Sequence, residues 1–236
     1  MEINKKITKV NKTVMKNKKN EYIVVHYVGA VSTAKNNADY FYSQDRGASA
    51  HYFVDDTSCW QVVEDKDAAW HCGTKGTYYH KYCRNNNSIG VEMCCIKNGK
   101  TLDISAKTEA NTVEIVKMLM AKYDIPVSHV IRHYDVTHKN CPAPFVKDSA
   151  RWQKFKNKLV DADDQTLEAG QKVVLNKAPL YASSTTTKVS SYKTGTYYLW
   201  DAKVTNGRIR ITNKSSNVGK SGQVTGWINT SSIRRK

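Results

Sequence analysis

The sequence predicts two domains of different class, an α/β domain with one mixed β-sheet flanked by helices and a small all-β barrel. Strand-like runs alternate with helical patterns over residues 1–160, and the recognisable core begins at about residue 20. Residues 161–169, DADDQTLEA, are acidic and are expected to form a linker. Residues 170–236 show short strand-like runs separated by turns and no helical pattern, which predicts the barrel.

The first domain is predicted to hold four strand regions. Residues 1–20 are polar and rich in lysine, and we expect an irregular lead-in. EYIVVHYVG is β-branched and aromatic and stops at Gly29, which is typical of a buried strand. SAHYFVDDTSCWQVVE predicts two strands around a turn at residues 55–58. SIGVEMCCI predicts a buried strand ended by Asn98-Gly99, and VSHVIRHYD predicts a short strand that carries His133.

Three helices are predicted between these strands. STAKNNADYFYSQ begins with a capping Ser or Thr and places Ala34, Ala38 and Phe41 on one face. TEANTVEIVKMLMAKYD has the clearest helical pattern and is closed off by a proline. Its predicted buried face comprises Val113, Val116, Met120 and Tyr123. DSARWQKFKNKLV predicts a final helix that buries Trp152, Phe155 and Leu159.

The barrel prediction depends on turn chemistry. The strand-like runs are KVVLN, APLYASS, GTYYLWDAKVTNGRIRIT and TGWINTSSI. Asn206-Gly207 lies between two of them, and this dipeptide is a strong hairpin signal. A small barrel of the SH3-like kind is therefore expected.

The charge is strongly positive, with a formal net charge of +16, and residues 170–236 hold eight Lys and four Arg against one Asp. Such a field attracts polyanions, including nucleic acid, an anionic cell wall or a membrane surface. No apolar run is long enough to span a bilayer, and we expect no membrane insertion. The N-terminal segment has no apolar signal-peptide core, so we expect the chain to be held in the cytoplasm. The six cysteines are then expected to be free thiols apart from one metal ligand.

The stretch VIRHYDVTHKNCPAP places His133 and Cys141 close together in sequence. His26 is expected at the end of the apolar strand YIVVH and is the leading candidate for a third ligand. Two imidazoles and one thiolate suit zinc and leave a fourth position open for water, as in catalytic sites. The residues alone leave two alternatives open. One pairs His129 with His133, and the other is a closed zinc site formed by His71, Cys72, His80 and Cys83.

Several separated motifs carry a resemblance to a known family. IVVHYVG, SAHYFVDD, AWHCG, NSIGVEMC and IRHYDVTHKNCPAPF occur in this order over residues 20–160. They resemble the zinc-dependent N-acetylmuramoyl-L-alanine amidases, the phage and bacterial wall lysins related to peptidoglycan recognition proteins. The resemblance implies that His26, His133 and Cys141 hold one zinc ion. It also implies that Glu92 is the general base and that Lys139 stabilises the oxyanion while the amide between N-acetylmuramic acid and L-alanine is cleaved.

The chemistry of the residues agrees with these implied roles. Glu92 is the only charged residue in SIGVEMCCI, and burying a lone charge is costly unless it serves a purpose. The alternative is a strand-edge acid paired with a lysine. One branch of the family has a catalytic tyrosine in the strand where SAHYFV stands. Here His51 occupies the matching place and Tyr52 faces the other way, so His51 is expected either to support or contact the site or to pack structurally.

The C-terminal residues resemble bacterial SH3-like wall-binding domains through TGWI and YYLW. The candidate wall-binding residues are Tyr197, Tyr198, Trp200 and Trp227, although most aromatic residues of a small barrel belong to its core. Together with the positive charge, they lead us to expect docking to peptidoglycan with anionic wall polymers, in a Gram-positive wall.

The preferred hypothesis is therefore a wall hydrolase, either a phage endolysin that waits in the host cytoplasm until its release to the wall or a bacterial autolysin. The alternative is a non-catalytic peptidoglycan-binding protein on the same scaffold. A nucleic-acid binder is not expected, because charge is its only support and no recognition motif is present.

Overall fold

The computed structural model describes residues 1–73, 76–160 and 167–233. They belong to two compact units, Met1–Leu159 and Val160–Lys236. Residues 161–166, which make up most of the predicted linker, lie outside the described residues. No helix within the described ranges is both long and apolar enough to cross a membrane.

The first unit contains a mixed sheet, as predicted. Its strands are β1 Ile3–Lys5, β3 Tyr22–Val31, β4 Tyr52–Val54, β5 Cys59–Gln61, β7 Ser88–Asn98, β8 Thr101–Asp103 and β9 Val130–Arg132; β2 Lys12–Thr13 and β6 Ala68–Ala69 form a separate antiparallel pair. The order is β1-β5-β4-β7-β3-β9, with β8 beside β7. Strands β4, β7, β3 and β9 are parallel, whereas β4 and β5 are antiparallel. The α/β class is therefore confirmed.

Five helices accompany this sheet: α1 Ala34–Ser43, α2 Ala106–Tyr123, α3 His133–Thr137, α4 Ala143–Lys147 and α5 Ser149–Lys158. Side chains alternate between the faces of a strand. Ile23 and Val25 of β3 therefore join the core beneath α2 and α5. Val24 packs in a separate cluster on the opposite face, together with Val136 of α3. His26 is on that opposite face, which is where the candidate site forms.

The buried face of α2 is rotated from the predicted one. Ile115, Val116 and Leu119 are buried in the core, whereas Val113, Met120 and Tyr123 are partly buried at its edge. The prediction places only apolar residues on the buried face. In the structure this face also includes polar residues nearer the N-terminus of the helix. Among them, Asn111 donates its side-chain amide to the carbonyl oxygens of Asp55 and Asp56.

The predicted irregular lead-in is wrong in part, because residues 1–20 contain the short strands β1 and β2. β1 adds a parallel edge strand beside β5. Asn11 is buried and donates to the carbonyl oxygens of Phe41 and Gln44, which attaches the lead-in to the end of α1. These strands have three and two residues and carry no alternating apolar pattern. They are formed through contacts with distant segments, which local sequence does not encode.

The prediction that His133 lies on a strand is also wrong. β9 ends at Arg132, and His133 is the first residue of α3. The Arg132 N–H donates to the Asp135 carboxylate, which caps the first turn of the helix. Asp135 stands at the usual acidic position of a capping box, but arginine is not among the preferred capping residues, so the pattern was missed.

The second unit is a closed four-stranded barrel formed by β10 Lys172–Tyr181, β11 Ser191–Leu199, β12 Arg208–Thr212 and β13 Gly226–Asn229. KVVLN and APLY form one strand, interrupted by a bulge between Leu175 and Ala178. Asn206 and Gly207 both have positive φ, 52° and 71°, and the flanking Thr205 and Arg208 exchange both main-chain hydrogen bonds. The predicted two-residue hairpin turn is therefore confirmed.

Candidate functional site

Three potential metal ligands converge on the face of the sheet opposite α2. His26 comes from β3, His133 begins α3, and Cys141 lies in the loop before α4. One ligand atom from each residue lies within 4.8 Å of the other two. All three residues are buried, with exposed fractions of 2%, 3% and 3%. The packing of α3 and its following loop against β3 thus brings together residues more than a hundred positions apart.

The donor atoms fit a metal ion in geometry and in chemistry. His26 Nδ1 and Cys141 Sγ are 3.7 Å apart. Two such ligands on a tetrahedral zinc ion would be separated by about 3.6 Å, given the usual bond lengths. His133 Nε2 is buried and has no hydrogen-bond partner in the described part of the chain. An unpartnered buried nitrogen is costly, and a cation at this position would satisfy it.

The protonation states also suit metal ligands. Burial lowers the pKa of His26 well below its usual value, and neighbouring His71 and His133 lower it further. Burial likewise lowers the pKa of His133 to about 4, so both imidazoles are neutral near pH 7. Burial raises the pKa of Cys141 to about 12. A bound divalent cation has the opposite effect on a coordinating thiol, which it holds deprotonated.

Glu92 lies beside His26 in the sheet, because these two residues are paired in the register of β3 and β7. Burial raises the pKa of its carboxyl to about 7, and the Lys139 charge acts in the opposite direction. Its Oε2 is buried and has no hydrogen-bond partner among the described residues. The carboxyl group is therefore available to take up or release a proton near neutral pH.

Lys139 is exposed at the rim of the site, in the loop that presents Cys141. The Cys141 N–H donates to the Lys139 carbonyl oxygen over 2.7 Å, which ties the two residues together. The positive charge of Lys139 lowers the pKa values of His26, His133 and Glu92. It is therefore close enough to act electrostatically on the whole group, as an oxyanion-stabilising residue must.

Comparison with known proteins identifies the scaffold. Residues 16–144 match the Amidase_2 family model, described as N-acetylmuramoyl-L-alanine amidase. This chain belongs to that amidase family. The amidase CwlL of Bacillus licheniformis is 36% identical over 146 residues, which is 58% of this chain and 40% of CwlL. The amidase CwlA of a Bacillus species is 31% identical over 183 residues, 74% of this chain and 66% of CwlA.

The solved structure of PlyL has a similar fold. It aligns at 31% identity with a TM-score of 0.58 and covers 67% of this chain and 97% of the PlyL chain. The amidase-family scaffold of the first unit is thus supported by both sequence and structure. This chain covers about two fifths of the length of curated relatives such as CwlL.

The amidase-family site has a second layer of buried histidines. His51 immediately precedes β4 and is fully buried. Its Nδ1 accepts from the Gly90 N–H, and its Nε2 lies 3.0 Å from Lys18 Nζ. Tyr52 points to the opposite face, as expected, and its hydroxyl donates to Asp65 in the core beneath α2. His51 therefore makes its contacts behind the metal ligands and is not open to solvent.

The alternative ligand sets are not assembled. Among the described residues, His26, His133 and Cys141 are the one group of three with metal-binding geometry. His129 belongs to a 3₁₀ turn, where its Nδ1 lies 2.9 Å from the Glu21 carbonyl oxygen. His80 Nδ1 accepts from the Cys83 N–H, which leaves this nitrogen unavailable to a metal shared with Cys83.

Sequence reasoning missed the position of His71. Its Nδ1 lies 3.1 Å from His26 Nε2, directly behind the candidate ligand. In the sequence, His71 belongs to the motif AWHCG and is a candidate only for the separate zinc site with Cys72, His80 and Cys83. One feature of the sequence could have indicated His71: it is the histidine of AWHCG, a motif that resembles the family's, and no role at the His26 site was assigned to it.

The candidate wall-binding aromatics of the second unit, Tyr197, Tyr198, Trp200 and Trp227, are all half-buried. Tyr197 packs against the barrel core. Trp200 and Trp227 instead flank the Arg210 guanidinium, at 4.2 Å and 5.4 Å from its carbon to the ring centroids. The barrel therefore brings two of the four candidates together around one arginine.

Proposed function

We propose that this protein is a peptidoglycan hydrolase that cleaves the amide between N-acetylmuramic acid and the L-alanine of the stem peptide. The observation that carries the proposal is the convergence of His26, His133 and Cys141 beside a carboxyl group with a pKa near 7. Membership of the amidase family supports the choice of substrate.

His26, His133 and Cys141 would hold one zinc ion through two nitrogens and one sulfur. When bound, zinc supplies Lewis acidity, which polarises the scissile carbonyl and makes water more acidic. Glu92 accepts the proton of the attacking water on its carboxylate and returns it to the leaving nitrogen of L-alanine. A pKa of about 7 suits both halves of this transfer.

Lys139 places a positive charge on the solvent-exposed side of the site formed by the three ligands and Glu92. In this role its ammonium stabilises the negative charge that develops on the carbonyl oxygen during attack. Its exposed position suits contact with a large, external substrate, because the ammonium can approach the substrate without being desolvated beforehand.

The second unit would act as an SH3-like wall-binding domain. Residues 170–236 carry twelve basic residues and one acidic residue, and this field favours the anionic polymers of a Gram-positive wall. Tethering to the wall raises the local concentration of the catalytic unit at its substrate. The whole chain would then act as an endolysin or autolysin, held in the cytoplasm and released to the wall.

The test is the clearing of purified Gram-positive peptidoglycan by the full chain. We expect turbidity to fall, the clearing to stop with a chelator, and its return when zinc is added. Cleavage at the proposed amide releases new α-amino groups of alanine without new reducing sugar ends. New reducing sugar ends without new alanine α-amino groups would contradict the proposed site of cleavage.

The alternative function, a non-catalytic peptidoglycan binder, predicts co-sedimentation with walls but no released products at any zinc concentration. Wall binding itself is tested by co-sedimentation with intact walls and with walls stripped of their anionic polymers. We expect weaker binding to the stripped walls and weaker binding at high salt, since screening reduces interactions between exposed charges. Equal binding to both preparations would contradict the proposed ligand.

A further inference from the structure

His71 lies behind the candidate metal ligand His26 in a buried hydrogen-bonded chain. The two rings are nearly perpendicular, at 88°, and His71 Nδ1 is 3.1 Å from His26 Nε2. On its other side, His71 Nε2 is 3.2 Å from the Ser88 hydroxyl, which lies 2.6 Å from the Arg84 carbonyl oxygen. His26, His71 and Ser88 are 2%, 6% and 0% exposed, so the chain is shielded from bulk water.

The hydrogen bond from Ser88 to the Arg84 carbonyl oxygen fixes which atoms donate and which accept in this series of hydrogen bonds. The Arg84 carbonyl oxygen can only accept, so the Ser88 hydroxyl must donate its single proton there. The Ser88 oxygen is then an acceptor for its other neighbour, the Nε2 of His71. His71 must therefore carry its proton on Nε2. In a neutral imidazole with Nε2–H, the Nδ1 atom is an acceptor.

Two groups compete for this acceptor. Nδ1 of His71 lies 3.1 Å from His26 Nε2 and 3.2 Å from Cys72 Sγ. A thiol is a weak donor, and the Cys72 thiol has a second acceptor in the Ser88 hydroxyl at 3.6 Å. The stronger donor is the His26 N–H. His26 is thereby held with its proton on Nε2 and its lone pair on Nδ1, the atom that faces Cys141 Sγ.

We propose that His71 is a positioning residue for the metal site: by accepting from His26 Nε2, it selects the tautomer whose Nδ1 can bind the metal and fixes the orientation of that ring. The inference rests on the metal site proposed above. Hydrogen-bond partners of ligating histidines have this effect in metalloproteins, and their removal typically lowers metal affinity about 10- to 100-fold.

The packing of His71 depends on Gly90. A Cβ atom at residue 90 would lie 2.6 Å from Cγ of the His71 ring, which is closer than any real contact of this kind. Gly90 belongs to β7, two residues before Glu92, so the strand that presents the candidate base also leaves space for the positioning histidine. A larger residue at this position would displace the His71 ring.

The first experiment measures the tautomers directly. Histidine nitrogen chemical shifts of the metal-free full chain distinguish Nε2–H from Nδ1–H rings. We expect both His26 and His71 to be Nε2–H. Finding His26 with its proton on Nδ1 would overturn the proposal, whether or not the protein binds zinc.

The second experiment measures zinc affinity by competition with a chromophoric chelator. His71→Ala is expected to weaken binding by about 10- to 100-fold. His71→Asn retains an acceptor oxygen near the position of Nδ1, so most of the affinity should return. His129→Ala is the matched control, because it removes a histidine whose ring contacts Glu21 and Tyr22 instead of the metal ligands. Wild-type affinity in His71→Ala would overturn the proposal.

Ser88→Ala keeps the His71 ring and removes the hydroxyl oxygen that accepts from His71 Nε2, together with the weak contact of that hydroxyl with the Cys72 thiol. We expect His71 to show a mixture of tautomers in this variant and zinc affinity to fall, which tests the proposal even if His71→Ala fails to fold. Unchanged tautomers and unchanged affinity in Ser88→Ala would contradict the proposed chain. A wild-type chain that binds no zinc would refute the metal site itself, whereas the tautomer measurement would still decide the hydrogen-bond direction.

Discussion

Glu92 and His26 are side by side on neighbouring parallel strands, so the candidate base and a candidate metal ligand project from the same face of the sheet. The relative position of the two side chains is set by the pairing of β3 with β7 and does not depend on a loop. The regular spacing of adjacent strands, about 4.8 Å, holds the two groups at a constant separation.

Glu92→Gln should remove activity without removing the metal. The amide keeps the size of the side chain but cannot accept the proton of the attacking water. We expect kcat to fall by about 10²- to 10⁴-fold, the usual contribution of general acid–base catalysis. Released alanine amino groups measure the rate, and elemental analysis measures the zinc content, which should match wild type. Retained activity in Glu92→Gln would exclude Glu92 as the base.

The same substitution should stabilise the metal-free protein at alkaline pH. Glu92 has a usual pKa of 4.5, and burial raises its folded-state pKa to about 7. The folded state therefore binds this proton more tightly than the unfolded state, and stability is lost as pH rises between these two values. At about pH 8 the substitution should raise the free energy of unfolding by up to about 3 kcal/mol.

Urea unfolding of both proteins between about pH 5 and pH 8 tests this expectation. The difference between the variant and wild type should shrink toward the acidic end. Glu64→Gln, which removes a more exposed carboxylate of the same unit, is the control. A difference that grew on acidification would mean that the sign of the Glu92 contribution is wrong.

Cys141→Ser should abolish stoichiometric zinc binding. A serine hydroxyl is a much poorer zinc ligand than a thiolate, and the two histidines alone leave the ion weakly held. Elemental analysis of the purified wild type should give one zinc per chain, and the variant should show a large loss. Cys95→Ser alters another buried thiol that is not in the ligand group, and it should retain zinc.

Asp65→Ala should strongly destabilise the first unit. The buried Asp65 carboxylate accepts from four donors on three different segments: Tyr52 Oη at 2.7 Å, Gln61 Nε2 at 3.0 Å, Lys122 Nζ at 2.9 Å and Tyr123 Oη at 2.6 Å. Removal leaves the buried Tyr52 hydroxyl without this partner. We expect a loss of about 3–5 kcal/mol by urea unfolding.

Tyr52→Phe provides the comparison for Asp65→Ala. It deletes one of the four donors and leaves the carboxylate paired with the others, so the expected loss is only about 1 kcal/mol. Equal losses in the two variants would show that the carboxylate does not act as a shared acceptor.

The parts of the fold that local sequence encodes were predictable. Strand β3, the α1 and α5 helices and the Asn206-Gly207 turn each follow from a few neighbouring residues whose periodicity or backbone conformation is distinctive. Burial on α2 was less predictable, because polar residues such as Asn111 are buried there through hydrogen bonds to a distant turn.

The sequence by itself determined the class of the first unit and its main elements, and its resemblance to the amidase family indicated the three residues whose ligand atoms converge. Only the tertiary structure decided that residues 1–20 add an edge strand to the sheet, that His133 begins a helix and that His71 lies behind His26. The physical reason is range. Periodicity and turn chemistry act over a few residues, whereas His71 and His26 are 45 positions apart and meet only when the packed sheet brings their segments together.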